Sequence, residues 1–260
     1  MDLFIRGNDA LKANPPYSVD HALPSSASDW LWAVTAIFVL TFLVLVGLCF
    51  VAHESKRVFH YLFAIVLLVG STCYYAEAAN LGWVPIPMQR NNDTTYQLFY
   101  AKYIYWTVSF PSLALALGLL ANVSWTTIMC NIGSAWVWVL TYLAAALTPT
   151  DYKWGFFAFG TLAYVILAMS TTNESHEAAE KMGIGKHYRL LSLWTNVLWL
   201  LYPIAFGLSD GSHRIAVTAG SIFFGVLDVL MVPVLTFTFV FLSRSWDWKR
   251  LRLAFSEVRH

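Results

Sequence analysis

This sequence is short of charge. Asp, Glu, Lys and Arg make up 12% of its 260 residues, against roughly a quarter in a typical soluble domain. At 58% hydrophobic and 17% aromatic, the chain carries more apolar surface than a water-soluble fold of this length can hide. A bilayer is the solvent that suits it. Charge of one sign is also missing. The formal net charge is +1 and there is no basic block, which argues against nucleic acid as a partner. The three cysteines, Cys49, Cys73 and Cys130, lie in apolar runs without CxxC spacing. Neither a disulfide framework nor a metal site is expected, and packing in helices is the better account of them. No nucleophile with a base, metal-ligand spacing or phosphate-binding loop occurs, so no enzyme is expected. The GIG run from Gly183 to Gly185 lacks the strand context of a dinucleotide motif. The first 29 residues include Asp2, Arg6, Asp9, Lys12, Asp20 and Asp29 and no apolar core of a signal peptide. Insertion is therefore expected to rely on the first hydrophobic helix.

Long hydrophobic runs are what the sequence does have. A spanning helix needs about 20 mostly apolar residues, and seven such runs predict an all-α membrane bundle. They cover about Trp30–Val51, Val58–Ala79, Gln97–Ala121, Thr126–Ala146, Trp154–Thr172, Leu190–Leu208 and Ile215–Leu242. The polar stretch NLGWVPIPMQRNNDTT after the second run is long enough for a small hairpin. The stretch from Asn173 to Arg189 reads as the most polar loop. The expected organisation is an extracellular segment 1–29, a transmembrane domain 30–243 and a cytoplasmic tail 244–260.

The side follows from basic residues in the loops. One set of segments holds Lys56, Arg57, Lys181, Lys186, Arg189, Arg244, Lys249, Arg250, Arg252 and Arg259. The other holds Arg6, Lys12, Arg90, Lys153 and Arg214. Ten against five favours the N-terminus outside and the C-terminus in the cytoplasm. Asn92 is then a glycosylation acceptor on the outer face, whereas the Asn122 and Asn173 sequons face inward. Trp246, Trp248 and the basic residues of the tail are expected to anchor at the membrane surface.

Three ionisable residues fall inside the runs. Each costs roughly 2.5–3.5 kcal/mol on insertion scales, so each needs a partner or a function. Glu77 and Lys102 lie near span ends, where snorkelling or mutual pairing would account for them. Asp228, within GVLDVLMVPVL, lies nearer mid-span. Helical spacing places Lys102, Tyr105, Trp106 and Ser109 on one face of span three, and Trp199, Tyr202, Pro203 and Phe206 on one face of span six. Pro203 is expected to kink its helix. Such a set reads equally well as a ligand pocket or as an aromatic core holding one hydrogen-bonded acid.

The pattern YxxWxxxxP (Tyr103, Trp106, Pro111), the pattern WxxYPxxF (Trp199 to Phe206) and the run FFGVLDVL resemble the microbial rhodopsin family over nearly the whole chain. NDALKANPP, SDWLWAV, NLGW, KWGFF and GLSDG are similar to its fungal branch. The resemblance implies a seven-helix rhodopsin-like bundle with a retinal-type pocket. It also implies that a lysine should stand one turn after Asp228 to hold retinal as a Schiff base. That position is Val232, which has no amine. The acidic proton acceptor falls on Tyr105, a phenol with a pKa near 10 in water. The proton donor falls on Ala116. The arginine of the outer half is Lys102, which lacks the planar fork. Asp228 then looks like half of a former counterion pair, held by hydroxyls such as Tyr202 and by Lys102, or neutral.

These departures are those of the fungal opsin-related, heat-shock-protein-like branch that lacks the retinal lysine. The resemblance implies a stress-related plasma-membrane protein with a chaperone-like or regulatory role toward other membrane proteins, such as a proton ATPase. It also implies self-association into homo-oligomers. Two further readings stand beside this one. The retained Trp106, Trp199, Tyr202 and Phe206 permit a sensor that binds retinal or another apolar ligand without a covalent bond. An ion channel or transporter would need a continuous polar path, which the apolar run FPSLALALGLL does not offer.

Overall fold

The computed structural model describes residues 8–52, 54–88 and 91–246, with the backbone alone at 54–56 and 91–93. A short helix α1 (Asp9–Ala13) precedes α2 (Ser25–Val51) and α3 (Glu54–Ala78). A hairpin of β1 (Trp83–Met88) and β2 (Asn91–Phe99) leads to α4 (Ala101–Ala121) and α5 (Trp125–Leu147). Next come α6 (Lys153–Met169), α7 (Ser175–Lys181), α8 (Gly185–Phe206), α9 (Val217–Val229) and α10 (Leu235–Leu242). Among the described residues, seven helical stretches are long and apolar enough to cross a membrane. A bilayer core offers no water to backbone amides, so each stretch satisfies its own ladder as a helix.

Three of these stretches contain π-type turns, at Ser170–Glu174, Gly207–Gly211 and Leu230–Val234. The last has a local cause in the sequence. Pro233 has no N–H to give to the preceding turn, and its ring would crowd the carbonyl four residues back. The π turn at 170–174 joins α6 to α7, so the seventeen residues expected to form a polar loop after Thr172 are mostly helical. Ser175 and Ala179 face inward at i and i+4, both fully buried, and only residues 182–184 turn the chain.

The hairpin corrects the expected start of span three. Tyr96, Gln97, Leu98 and Phe99 pair in antiparallel register with Ile86, Pro85, Val84 and Trp83, and the helix begins only at Ala101. Pro85 and Pro87 cannot donate to a ladder and so belong on an outer edge. The inner neighbour of β2 is the N-terminal segment: the Gln97 amide donates to the His21 carbonyl at 3.2 Å, and the His21 amide to the Thr95 carbonyl at 3.0 Å.

α4 is the most enclosed span, with 72% of its apolar window buried. It packs between α3 and α5 and meets α8 across the bundle, while α2 packs on α3 and α9. Trp246 is buried against the bundle. Its indole N–H donates to His187 Nδ1 at 2.8 Å, and its ring meets Phe239 edge-on. Trp248 and the basic residues from Lys249 onward lie outside the described residues, as does the Asn92 side chain.

Candidate functional site

Two buried carboxylates organise the half of the bundle nearer the hairpin. Asp228, on α9, is fully enclosed. It accepts a hydrogen bond from Tyr74 Oη of α3 at Oδ2, and one from Tyr202 Oη of α8 at Oδ1, 2.5 Å away. Trp106 Nε1 of α4 lies 3.2 and 3.3 Å from the two oxygens. Three helices thus supply donors to one acid on a fourth. Hydrogen bonds to a charged acceptor are the strong kind, and together they account for a carboxylate deep in an apolar segment without a cation in contact.

Lys102 does not supply that contact. Its Nζ lies 2.6 Å from Asp210 Oδ2, and Tyr103 Oη donates to the same oxygen at 2.6 Å. The ammonium also sits 4.5 Å from the centroid of the Phe224 ring, a favourable place for a cation. Lys102 and Glu77 are both buried, at 8% and 5% exposure. Neither snorkels, and they form no direct ion pair with each other. Glu77 Oε1 makes no hydrogen bond within the protein. Together with Tyr74, Gln97, Lys102 and Asp210 it borders a cavity of about 20 Å³, room for a single water.

Of the residues singled out in the sequence, Trp106, Tyr202 and Asp228 are therefore in direct contact. Trp199 is fully buried one turn from Tyr202 on α8. Val232 lies in the π turn after Asp228 and is fully enclosed, as is its neighbour Met231. Tyr105 and Ser109 are buried on α4, where neither hydroxyl hydrogen-bonds to a group on another helix, and Trp199 Nε1 has no partner. Tyr105 packs edge-on against Phe38 at 5.6 Å instead of reaching the acid. Pro203 is buried within α8. Phe206 lies further out in the same aromatic cluster, 4.6 Å from Tyr142 and 5.6 Å from Phe157, and Tyr142 in turn meets Trp138 edge-on at 6.1 Å. Ala116 is buried further along α4 among Leu113, Ala114 and Leu117.

Two participants were missed from sequence: Tyr74, which donates to Asp228, and Asp210, which holds Lys102. Tyr74 shares a helical face with Ser71 and Glu77 by i, i+3 spacing, a signal that was available. Asp210 sits in GLSDG, which reads as a turn. The π segment Gly207–Gly211 extends α8 and carries the acid into the interior.

At the hairpin end, groups outside the spans also respond to their surroundings. Burial pushes the Tyr96 phenol up. The backbone amide and hydroxyl of Thr95 hold the exposed Asp20 carboxyl below its ordinary value. His213, whose ring packs tilted against Tyr96 at 4.4 Å, is lowered to about 4, chiefly by burial.

Comparison with known proteins agrees with this architecture. Residues 25–243 match the family described as bacteriorhodopsin-like protein. The opsin-like protein carO of Fusarium fujikuroi is 34% identical over 98% of this chain and 87% of its own length. Protein YRO2 of Saccharomyces cerevisiae is 30% identical over 96% of this chain and 76% of its own. The 30 kDa heat shock protein of the same yeast is 28% identical over 96% and 82%. Among solved structures, the light-driven proton pump LR (Mac) from Leptosphaeria maculans superposes with a TM-score of 0.83 at 26% identity, over 90% of this chain and 99% of that one. The chain belongs to the bacteriorhodopsin-like family, as an integral membrane protein of the seven-helix microbial rhodopsin fold with fungal opsin-like and heat-shock-named relatives.

Proposed function

We propose that this is an opsin-related membrane protein that carries no covalent retinal, drives no light-dependent proton transport and performs no enzymatic reaction. It acts instead through other membrane proteins in a stress-related, chaperone-like or regulatory role. The observation that carries the reading is the pair Asp228 and Val232. Proteins of this family normally bind retinal. At position 232, where the resemblance puts the attachment, stands a fully buried isopropyl group with no nitrogen to condense with an aldehyde. One turn earlier, Asp228 has its oxygens taken up by Tyr74, Tyr202 and Trp106. The acid is held by neutral donors and is not left facing a missing cation.

The proton route lacks its acids at two further positions. Tyr105 and Ala116 stand where the resemblance puts acceptor and donor, and Ala116 lies in a wholly apolar stretch. A channel or transporter finds no continuous polar path there. The name of the 30 kDa heat shock protein of yeast supports the stress link. The excess of Lys and Arg in one set of loops supports an outer N-terminus and a cytoplasmic C-terminus. We assign the plasma membrane as its location and other proteins of that membrane, including a proton ATPase, as candidate partners.

The test is an absorption spectrum of the purified protein with all-trans retinal. The spectrum of free retinal is expected. A band shifted far to the red would mean an imine on another lysine, and the reading would be lost.

A further inference from the structure

Phe110 lies inside a box of aromatic rings formed by Trp106, Trp138, Trp199 and Tyr202, not in its wall. Its ring stacks on Trp106 at 6.0 Å and 15°, and meets Tyr202 edge-on at 4.9 Å. The same ring lies 4.8 Å from Trp138 and 5.9 Å from Trp199. Four rings from α4, α5 and α8 thus converge on one side chain that is 1% exposed. The i, i+4 spacing from Trp106 folds the Phe110 ring back over the same face of α4. Trp106, Trp138, Trp199 and Tyr202 are themselves all but fully buried, so the phenyl ring has nowhere to swing. Interiors pack to crystal-like density, and a ring touching walls on this many sides leaves no slot for a second flat molecule between them.

We propose that the Phe110 ring, in addition to the valine at 232, closes the chromophore chamber. The chain then takes up no retinoid in covalent or non-covalent form, and residue 110 decides what the chamber admits. This inference rests on the reading above, in which Trp106, Trp199, Tyr202 and Val232 mark that chamber. It goes beyond that reading because a missing lysine alone would still allow a polyene to sit unattached between the tryptophans. With a smaller residue at 110, the class of ligand admitted is a planar conjugated hydrocarbon.

Two arms test it. In the first, all-trans retinol, which has no aldehyde, is added to the wild-type protein and to Phe110→Ala. Binding is read as energy transfer from tryptophan to retinol, since three tryptophans line the box. The wild type is expected to give no saturable transfer and Phe110→Ala to give saturation near one equivalent. In the second, all-trans retinal is added to Val232→Lys and to Phe110→Ala/Val232→Lys. The lysine amine condenses with the aldehyde, forming C=N and releasing one water. A red-shifted band is expected only in the double variant. Saturable retinol binding by the wild type would overturn the inference and needs no variant to fold. A full-yield band in Val232→Lys alone would overturn it as well, as would a monodisperse Phe110→Ala protein that binds nothing. A visible pigment in the wild type would instead overturn the covalent reading, so the two failures are distinguishable.

Discussion

Lys102 Nζ and Asp210 Oδ2 sit 2.6 Å apart at the hairpin end of the bundle, both nearly excluded from solvent. This contact, and not one with Glu77 or Asp228, is where the buried ammonium finds its charge partner. Tyr103 completes the arrangement from the next position along α4. Removing one member leaves the other charge buried and uncompensated, at a cost of about 3–5 kcal/mol. Lys102→Met and Asp210→Leu should each lower the thermal midpoint of the purified protein sharply. The double variant should recover most of the loss, because an apolar pair of similar volume is often neutral. Additive losses in a double-mutant cycle would mean that the two residues are not coupled.

Asp228 offers a second, independent cycle. Each tyrosine that donates to it contributes about 1.5–3 kcal/mol if the acceptor is charged. Tyr74→Phe and Tyr202→Phe should each destabilise by about that amount, and by less when made on an Asp228→Asn background, where the acceptor is a neutral amide. Equal losses on both backgrounds would show that the hydroxyls do not act through a charged acceptor at position 228.

The first carboxylate was legible in the sequence and the second was not. Asp228 stood out because it interrupts an apolar run, and the spacing of Trp106 and Tyr202 on their helices placed two of its donors. Hydropathy found all seven spans because a bilayer requires helices of a set length. It misjudged their ends because polar residues can continue a helix beyond the hydrocarbon. Ser25 to Asp29 extend α2, and α7 continues the fifth span from the π turn after Met169. Asp210 was hidden because GLSDG has turn composition, while its conformation depends on a π segment that no local pattern announces. Phe110 was hidden for a different reason. A phenylalanine in an apolar helix is unremarkable until the positions of Trp138 and Trp199 on other helices are known.

The pH response of the hairpin end should depend on His213. It lines a depression with His21, Tyr96 and Arg214, packs tilted against the Tyr96 ring, and feels Asp210, Lys153, Lys102 and His21. Its pKa falls from 6.5 in the unfolded chain to about 4 in the folded one. Between those values the unfolded state binds more protons, so stability is full above about pH 6.5, falls as pH drops toward 4, and changes no further below that through this group. His213 has φ of +52°, a left-handed conformation that asparagine tolerates well. His213→Asn should therefore fold normally and flatten the slope of thermal midpoint against pH in this window. An unchanged slope would assign the acid sensitivity to another group.

Gln97 tests whether the hairpin is part of the fold or an appendage to it. It stands in β2, at a position first expected to begin a helix, and its side chain ties three segments together. Its Oε1 accepts from the Leu23 amide at 2.7 Å, and its Nε2 donates to Asn80 Oδ1 at 2.6 Å. Asn80 takes a left-handed φ of +59° and donates in turn to the Asn14 carbonyl at 2.7 Å. Gln97 is 1% exposed, so losing it strands a buried amide donor and a buried acceptor, each worth about 1–3 kcal/mol. Gln97→Leu keeps the volume and removes both bonds. It should destabilise the protein by a few kcal/mol and raise hydrogen exchange at Leu23, next to the start of α2. Gln97→Glu restores the acceptor for Leu23 but not the donor for Asn80, so it should protect Leu23 while leaving the Asn80 turn labile. If Gln97→Leu melts like the wild type, the hairpin lies on the bundle without bracing it, and the ends of α2, α3 and α4 must be held by helix packing alone.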